Sequence, residues 1–196
     1  MSLSDSTSAW RFRSSLFQEA IADWNFADSL DDRTENIATM TLLNGATRVD
    51  GDGVKLNGGQ AFSSNSPLAL GASRTMASWL TMDDTSTAGG GSPFSIDHPT
   101  LDNFDSLVWQ ERQSGQWMYG SSGFARTTDI PNMPNRGGTA WNDVYQLLVS
   151  TQGYNEGGAW EVAFYLDGAF VGSYTGKTAN TRAANTWRVG FGPRYM

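Results

Sequence analysis

Three kinds of residue in this chain carry chemistry that a functional site can use: carboxylates, a single histidine, and aromatic rings beside amides. A glycosidase sets two carboxylates about 5–9 Å apart across the scissile bond. Glu111 and Asp105 share strand parity, but at ~3.3 Å rise per residue they stand roughly 20 Å apart on one strand. Asp102 and Asp105 have the wrong parity for one strand face and read as a turn. His98, in "SIDHPT", precedes a proline, and no G-x-S-x-G elbow occurs in the chain. "TAGGGS" lacks the Lys-Ser/Thr of a phosphate loop and opens no helix. With no cysteine, disulfides, thiolate zinc, thiol catalysis and covalent haem attachment are excluded. No constellation for catalysis emerges, so a catalytic site is not expected.

Calcium is the candidate cofactor. It is a hard cation held by oxygen, and oxygen-rich turns occur at "DSLDD" (28–32), "DGDG" (50–53) and "MDDTS" (82–86). Asp28, Asp31 and Asp32 are candidate ligands of a structural Ca²⁺, with Asp50 and Asp52 equally placed. Aspartate also favours turns by bonding its own backbone, which accounts for most of these positions without a metal.

The aromatic candidates lie in "SLVWQERQSGQWMYGS", read as a hairpin turning at "QSG" or "RQSG". For any even loop length, Leu107, Trp109 and Met118 share one face, and Val108, Gln110, Trp117 and Tyr119 share the other; an odd loop exchanges the faces. The first set reads as core. In the second, two large rings beside an amide match a sugar platform, with a ring under the pyranose and polar groups for its hydroxyls. A loop such as "TTDIPNMPNRGG" lying over the rings is the alternative. Arg112, Arg126 and Trp141 are further candidates, which parity does not place.

These residues must be positioned by strands. "EVAFYLDGAFVGSYTG" (161–176) is a β-hairpin turning at Asp167-Gly168. A two-residue loop puts Leu166 opposite Ala169, Phe164 opposite Val171 and Val162 opposite Ser173, an apolar face that reads as core. Tyr165 and Phe170 lie opposite each other on the second face, which is also apolar. Further strands are expected at "IATMTLL", "GVKL", "QAFSS", "RTMASWLTM", "SPFSID", "SLVWQE", "QWMYGS", "FART", "DVYQLLVS" and "NTWRVGFG", with a half-buried strand at "ADWNFADS". Turn-rich pieces separate them, at the spacing of a sandwich or barrel. "SSLFQEAI" offers a short N-terminal helix capped by Ser15 with Gln18 three residues on. The expected fold is all-β, two stacked antiparallel sheets with that short helix: residues 1–21 form a lead-in whose "MSL" matches a vector remnant, and 22–196 form one domain.

Composition agrees: 22 glycines, only 17% charged residues, and eight tryptophans spread through 196 residues suit one extended β core. The net charge of −7, with 13 scattered Lys and Arg, argues against a nucleic-acid partner. No apolar run approaches the ~18 residues of a membrane span.

The order of "ADWNFADSLDD", "GVKLNGG", "TMASW", the "YLDG-x-x-V-G" hairpin and "TWRVGFG" resembles the laminin-G-like, concanavalin A-like jelly-roll family over about residues 22–195. "GGGSPFSI" with "FDSLVWQERQSGQWMYGSSGFART" resembles a subgroup embedded in large bacterial secreted proteins. The resemblance implies a non-catalytic accessory domain, extracytoplasmic, with neighbouring modules as partners. From it and the aromatic face comes the expectation of a glycan- or polysaccharide-binding module. The alternatives are a structural or protein-interaction module and, behind it, a polysaccharide-cleaving enzyme, which shares the fold without sharing the site.

Overall fold

Asp167 and Gly168 both take positive φ, 52° and 84°, and the tight turn their dipeptide predicts is formed. In the computed structural model, which describes residues 20–86, 91–101, 103–121, 125–126, 130, 132–175 and 181–192, this hairpin is one of a long series of antiparallel strands. The segment expected as a helix (14–21) lies almost wholly outside the described residues.

Four strands of three residues come first: β1 (Thr41–Leu43), β2 (Thr47–Val49), β3 (Gly53–Lys55) and β4 (Gln60–Phe62). β5 (Arg74–Leu80), β6 (Phe94–Asp97), β7 (Phe104–Trp109), β8 (Trp117–Ser121) and β9 (Ala125–Arg126) follow. A 3-10 turn at Thr139–Trp141 then leads to β10 (Gln146–Tyr154), β11 (Trp160–Leu166), β12 (Ala169–Tyr174) and β13 (Arg188–Phe191). No helix among the described residues is long and apolar enough to cross a membrane.

The strands form a seven-stranded sheet, β1-β4-β13-β6-β7-β8-β9, a four-stranded sheet, β12-β11-β10-β5, and the small β2-β3 ribbon. Every pairing is antiparallel, and the last strand inserts between β4 and β6, in the middle of the larger sheet. The two large sheets close on one apolar cluster. Ile96, Leu107, Trp109, Trp117, Tyr119 and Val189 come from the larger sheet, and Met76, Leu148, Val162, Phe164, Leu166 and Val171 from the smaller. This is a jelly-roll β-sandwich, as the strand pattern predicts.

Alternation explains the division of faces. Along β10 and β11 every second residue is buried and its neighbours are half exposed, the pattern of strands with one face on the core. The larger sheet differs: all six residues of β7 and all five of β8 are buried, so Val108 and Met118 on its outer face are covered as fully as Leu107 on its inner one.

Two local readings change. Leu166 pairs with Ala169 and Tyr165 with Phe170 as expected, but the register then shifts: Phe164 faces Gly172, and Val162 faces Tyr174. Val171 is the extra residue of a β-bulge, eased by Gly172 at φ 143°. Its side chain still enters the core, and its carbonyl accepts the Asn132 N–H at 2.8 Å. "ADWNFADS" is not a strand. The Asn25 carbonyl accepts the N–H groups of Asp28 (2.9 Å) and Ser29 (3.1 Å), so the chain turns there. Trp24 and Phe26 are half-buried instead by packing edge-on against Phe191, at ring-centroid distances of 6.2 and 5.0 Å. Alternating rings on a loop that lies against a sheet imitate a strand.

Candidate functional site

The β7–β8 connection spans 110–116, because Trp109 pairs with Trp117 and Leu107 with Tyr119. An odd loop exchanges the faces, so Trp117 and Tyr119 join Leu107 and Trp109 inside the sandwich. Trp117 is 2% exposed and Tyr119 1%, leaving neither ring a face to offer a sugar. Trp117 lies 4.9 Å from the Trp109 ring and donates its indole N–H to Gln146 Oε1 at 3.1 Å. The expected platform of Trp117 and Tyr119 is therefore core.

Gln110 and Arg112 sit on that loop. Gln110 takes φ 39°, and its Oε1 accepts the Gly115 N–H at 2.9 Å, closing the turn. The loop meets the segment before β10: the Arg136 N–H donates to the Gly115 carbonyl, and Asn135 Nδ2 donates to the Ser114 carbonyl. Arg136 lays its guanidinium 3.9 Å from the Trp141 ring and bonds Asp167 Oδ2 at 2.7 Å. Asp167 Oδ1 in turn accepts the Leu147 N–H. Gln110 and Trp141 are thus brought to one end of the sandwich, beside the β11–β12 turn, while Trp117 and Tyr119 are not part of that surface. The Arg126 side chain lies outside the described residues.

In the acidic turn at 28–32, Asp32 is committed to the backbone and hydroxyl protons around it. Asp32 Oδ1 accepts the N–H groups of Asp23 (2.8 Å) and Thr34 (3.1 Å). Its Oδ2 accepts the Thr34 hydroxyl (2.7 Å) and the N–H groups of Asn36 (3.1 Å) and Ile37 (2.9 Å). A carboxylate has about four lone-pair positions; here protons already fill them. Asp28 accepts from Asn25 Nδ2, and Asp31 from the Thr39 hydroxyl. Among the described residues no three acidic or histidine side chains cluster as a metal site would require. Asp32→Ala is expected to cost about 2–3 kcal/mol, since it strips acceptors from buried donors. The loss, read by urea unfolding, should be the same in calcium as in chelator.

Asp105 proves to be neither a catalytic partner of Glu111 nor part of a turn. It is 1% exposed on the inner face of β7, where Arg74 and Tyr119 bond it directly and Arg182 Nη2 lies 3.0 Å from Oδ2. Burial, then the charge of Asp105, push the Tyr119 phenol far above its ordinary value of 10.0. Burial also lowers Arg182, against the pull of Asp105. The folded protein therefore keeps the Tyr119 proton where the unfolded chain releases it. The stabilisation is complete below about pH 10 and declines as the pH rises beyond it, at up to about 1.4 kcal/mol per unit. Urea midpoints from about pH 9 to 11 should fall in the native protein and fall less in Tyr119→Phe.

Tyr145 and Tyr154 are exposed near the two ends of β10, while Trp79 and Phe170 are exposed on the opposite side of the molecule from the expected platform, on the outer face of the four-stranded sheet. Phe170, Tyr165, Val149 and Ala77 form one row across its four strands, and Leu147 and Trp79 begin the next. Trp79 is 66% exposed and Phe170 55%. Tyr165 packs against Phe170 at 5.5 Å between centroids, with planes tilted by 59°. This is the second apolar face of the Asp167-Gly168 hairpin, continued across β10 to β5. Trp79 could have been found from "RTMASWL": Met76 and Leu80 claim the core, which turns Thr75, Ala77 and Trp79 outward.

In class, then, the chain is a jelly-roll β-sandwich with an aromatic outer sheet face. No protein-family model matches its sequence, and no curated protein matches it significantly. Among solved structures it is similar to domain 4 of AbnA, a GH43 extracellular arabinanase from Geobacillus stearothermophilus, in complex with arabinotriose. The identity is 17%, 86% of this chain and 81% of that one are covered, and the TM-score is 0.63. It is also similar to a mutant of HCR/D at 12% identity and a TM-score of 0.55, covering 87% of this chain and 41% of the other. Domains LG4-5 of the mouse laminin alpha1 chain match at 16% identity and a TM-score of 0.38, over 68% and 34%. For the first two structures, at 17% and 12% identity, the likeness is one of fold.

Proposed function

We propose that this chain is a non-catalytic carbohydrate-binding module that holds a glycan on the outer face of its four-stranded sheet. The observation that carries the reading is the exposure of Trp79 and Phe170 on a sheet face whose other outward residues, Glu161 apart, are small, apolar or aromatic. Sugars present C–H faces that stack on such rings while their hydroxyls stay hydrated or bond to neighbouring polar groups. Similarity of fold to a domain solved with arabinotriose supports the same reading. Trp141 and Gln110 stand near one end of this sheet as rim residues, and Arg112 shares the Gln110 loop. In this reading residues 22–196 are one module of the laminin-G-like, concanavalin A-like kind, extracytoplasmic and part of a larger secreted protein with neighbouring modules. The engagement of Asp105 in a buried ion cluster removes that carboxylate from any catalytic pair.

A second reading, a structural or protein-interaction module, draws on the same exposed face, since apolar surface of this kind also marks contacts between proteins. Trp79→Ala separates the two. The residue is exposed, so stability should stay within about 0.5 kcal/mol of native. Retardation of the protein in polysaccharide-containing gels should be lost. Unchanged retardation would remove the sheet face from the proposal.

A further inference from the structure

We infer that the glycan held on this face is uncharged and is gripped over three or four consecutive sugars, an inference that rests on the carbohydrate-binding reading above. The first ground is charge. The outward positions of β5, β10, β11 and β12 carry no lysine, arginine or histidine, and their acidic residue is Glu161, which accepts from Asn155 Nδ2 at 3.0 Å. The carboxylate at the adjoining turn, Asp167, is already held by Arg136. A uronic-acid polymer would meet no counter-ion on the sheet face itself, and the chain's net charge of −7 would repel it during approach. Polymers of neutral sugars meet neither obstacle.

The second ground is length. Trp79 on β5 and Phe170 on β12 stand on the two edge strands, and between them the face is lined by Ala77, Leu147 and Val149, with Tyr165 beside Phe170. Three strand spacings and a two-residue offset separate the outer rings by roughly 16 Å, about the length of three or four linked pyranoses.

The test uses the whole chain in gels containing soluble arabinan, xylan or mixed-linkage β-glucan, and in parallel alginate or polygalacturonate, followed by calorimetry with an oligosaccharide series of the best polymer. Retardation is expected with a neutral polymer and not with the two uronates. Affinity should rise about tenfold or more from the disaccharide to the tetrasaccharide and then level off, and Trp79→Ala and Phe170→Ala should each lower it by a similar factor. Retardation by uronates alone, lost in Trp79→Ala, would overturn the assignment of a neutral ligand while leaving a glycan-binding face. Full affinity for a monosaccharide would overturn the extended grip. Retardation by none of the polymers would overturn the carbohydrate reading itself. In that case sedimentation showing a dimer that Trp79→Ala dissociates would identify a second copy as the occupant.

Discussion

Asp105→Ala is expected to destabilise the protein by about 3–5 kcal/mol, the scale measured when one member of a buried ion cluster is removed. Asp105 is 1% exposed, while the Arg74 and Arg182 side chains it bridges are 4% and 2% exposed. Without the carboxylate, two guanidinium groups remain between the sheets with their shared counter-charge gone, and the Tyr119 hydroxyl loses one acceptor and keeps Gln152 Oε1 at 3.2 Å. At about 2–4 °C per kcal/mol for a chain of this size, the melting temperature should drop by roughly 6–20 °C. Asp105→Asn separates the parts of this effect, because it keeps an acceptor for Tyr119 and deletes only the charge; it should recover part of the loss. A change below about 1 kcal/mol for Asp105→Ala would show that the cluster does not hold the two sheets together.

Trp117→Ala should be nearly as damaging, and for a reason unrelated to ligand binding. Removing a buried tryptophan costs about 3–5 kcal/mol through lost transfer energy and the cavity left behind. The neighbours that would line the cavity are Trp109 and Gln146, and Gln146 Oε1 would lose its donor. Trp79→Ala, with the same loss of indole, should leave the unfolding curve in place. The pair makes a sharp comparison: one tryptophan belongs to stability and the other to the surface. Reversed results would invert the assignment of faces.

The difference between those two tryptophans shows how far the sequence can be read. The Asp167-Gly168 turn was legible because both residues must accept positive φ, and few dipeptides do so as readily. Leu166, Phe164 and Val162 were legible as core because a period of two with one apolar side admits few other structures. The faces of the β7–β8 hairpin were not. They depend on whether the loop has an odd or even number of residues, and "QERQSGQ" fixes only that a turn occurs. Gly115 accepts the positive φ of the turn at 71°, but the positive φ at Gln110, a residue with no preference for it, sets where the strand ends. The β2 strand was missed because three residues with exposed ends leave no apolar alternation to detect. The bulge at Val171 escaped for a different reason: an extra valine in a strand of small and aromatic residues changes no local preference and shows only once partners are aligned. Trp79 was placed on a strand correctly, yet its exposure depended on which half of "RTMASWL" the opposite sheet would cover.

That extra residue in β12 also bears on how the surface could be altered. Because Val171 stands outside the two-for-two pairing, its carbonyl is free to hold Asn132, and through that contact to tether the connection that carries Arg136 and Trp141. Shortening β12 by this one residue would bring Phe164 and Val162 into the plain hairpin register and untie the connection in the same stroke. The aromatic pair nearer the turn, Tyr165 with Phe170, would keep its alignment. A one-residue deletion thus loosens the rim and keeps that pair in register, at the cost of the buried Val171 side chain beneath the sheet.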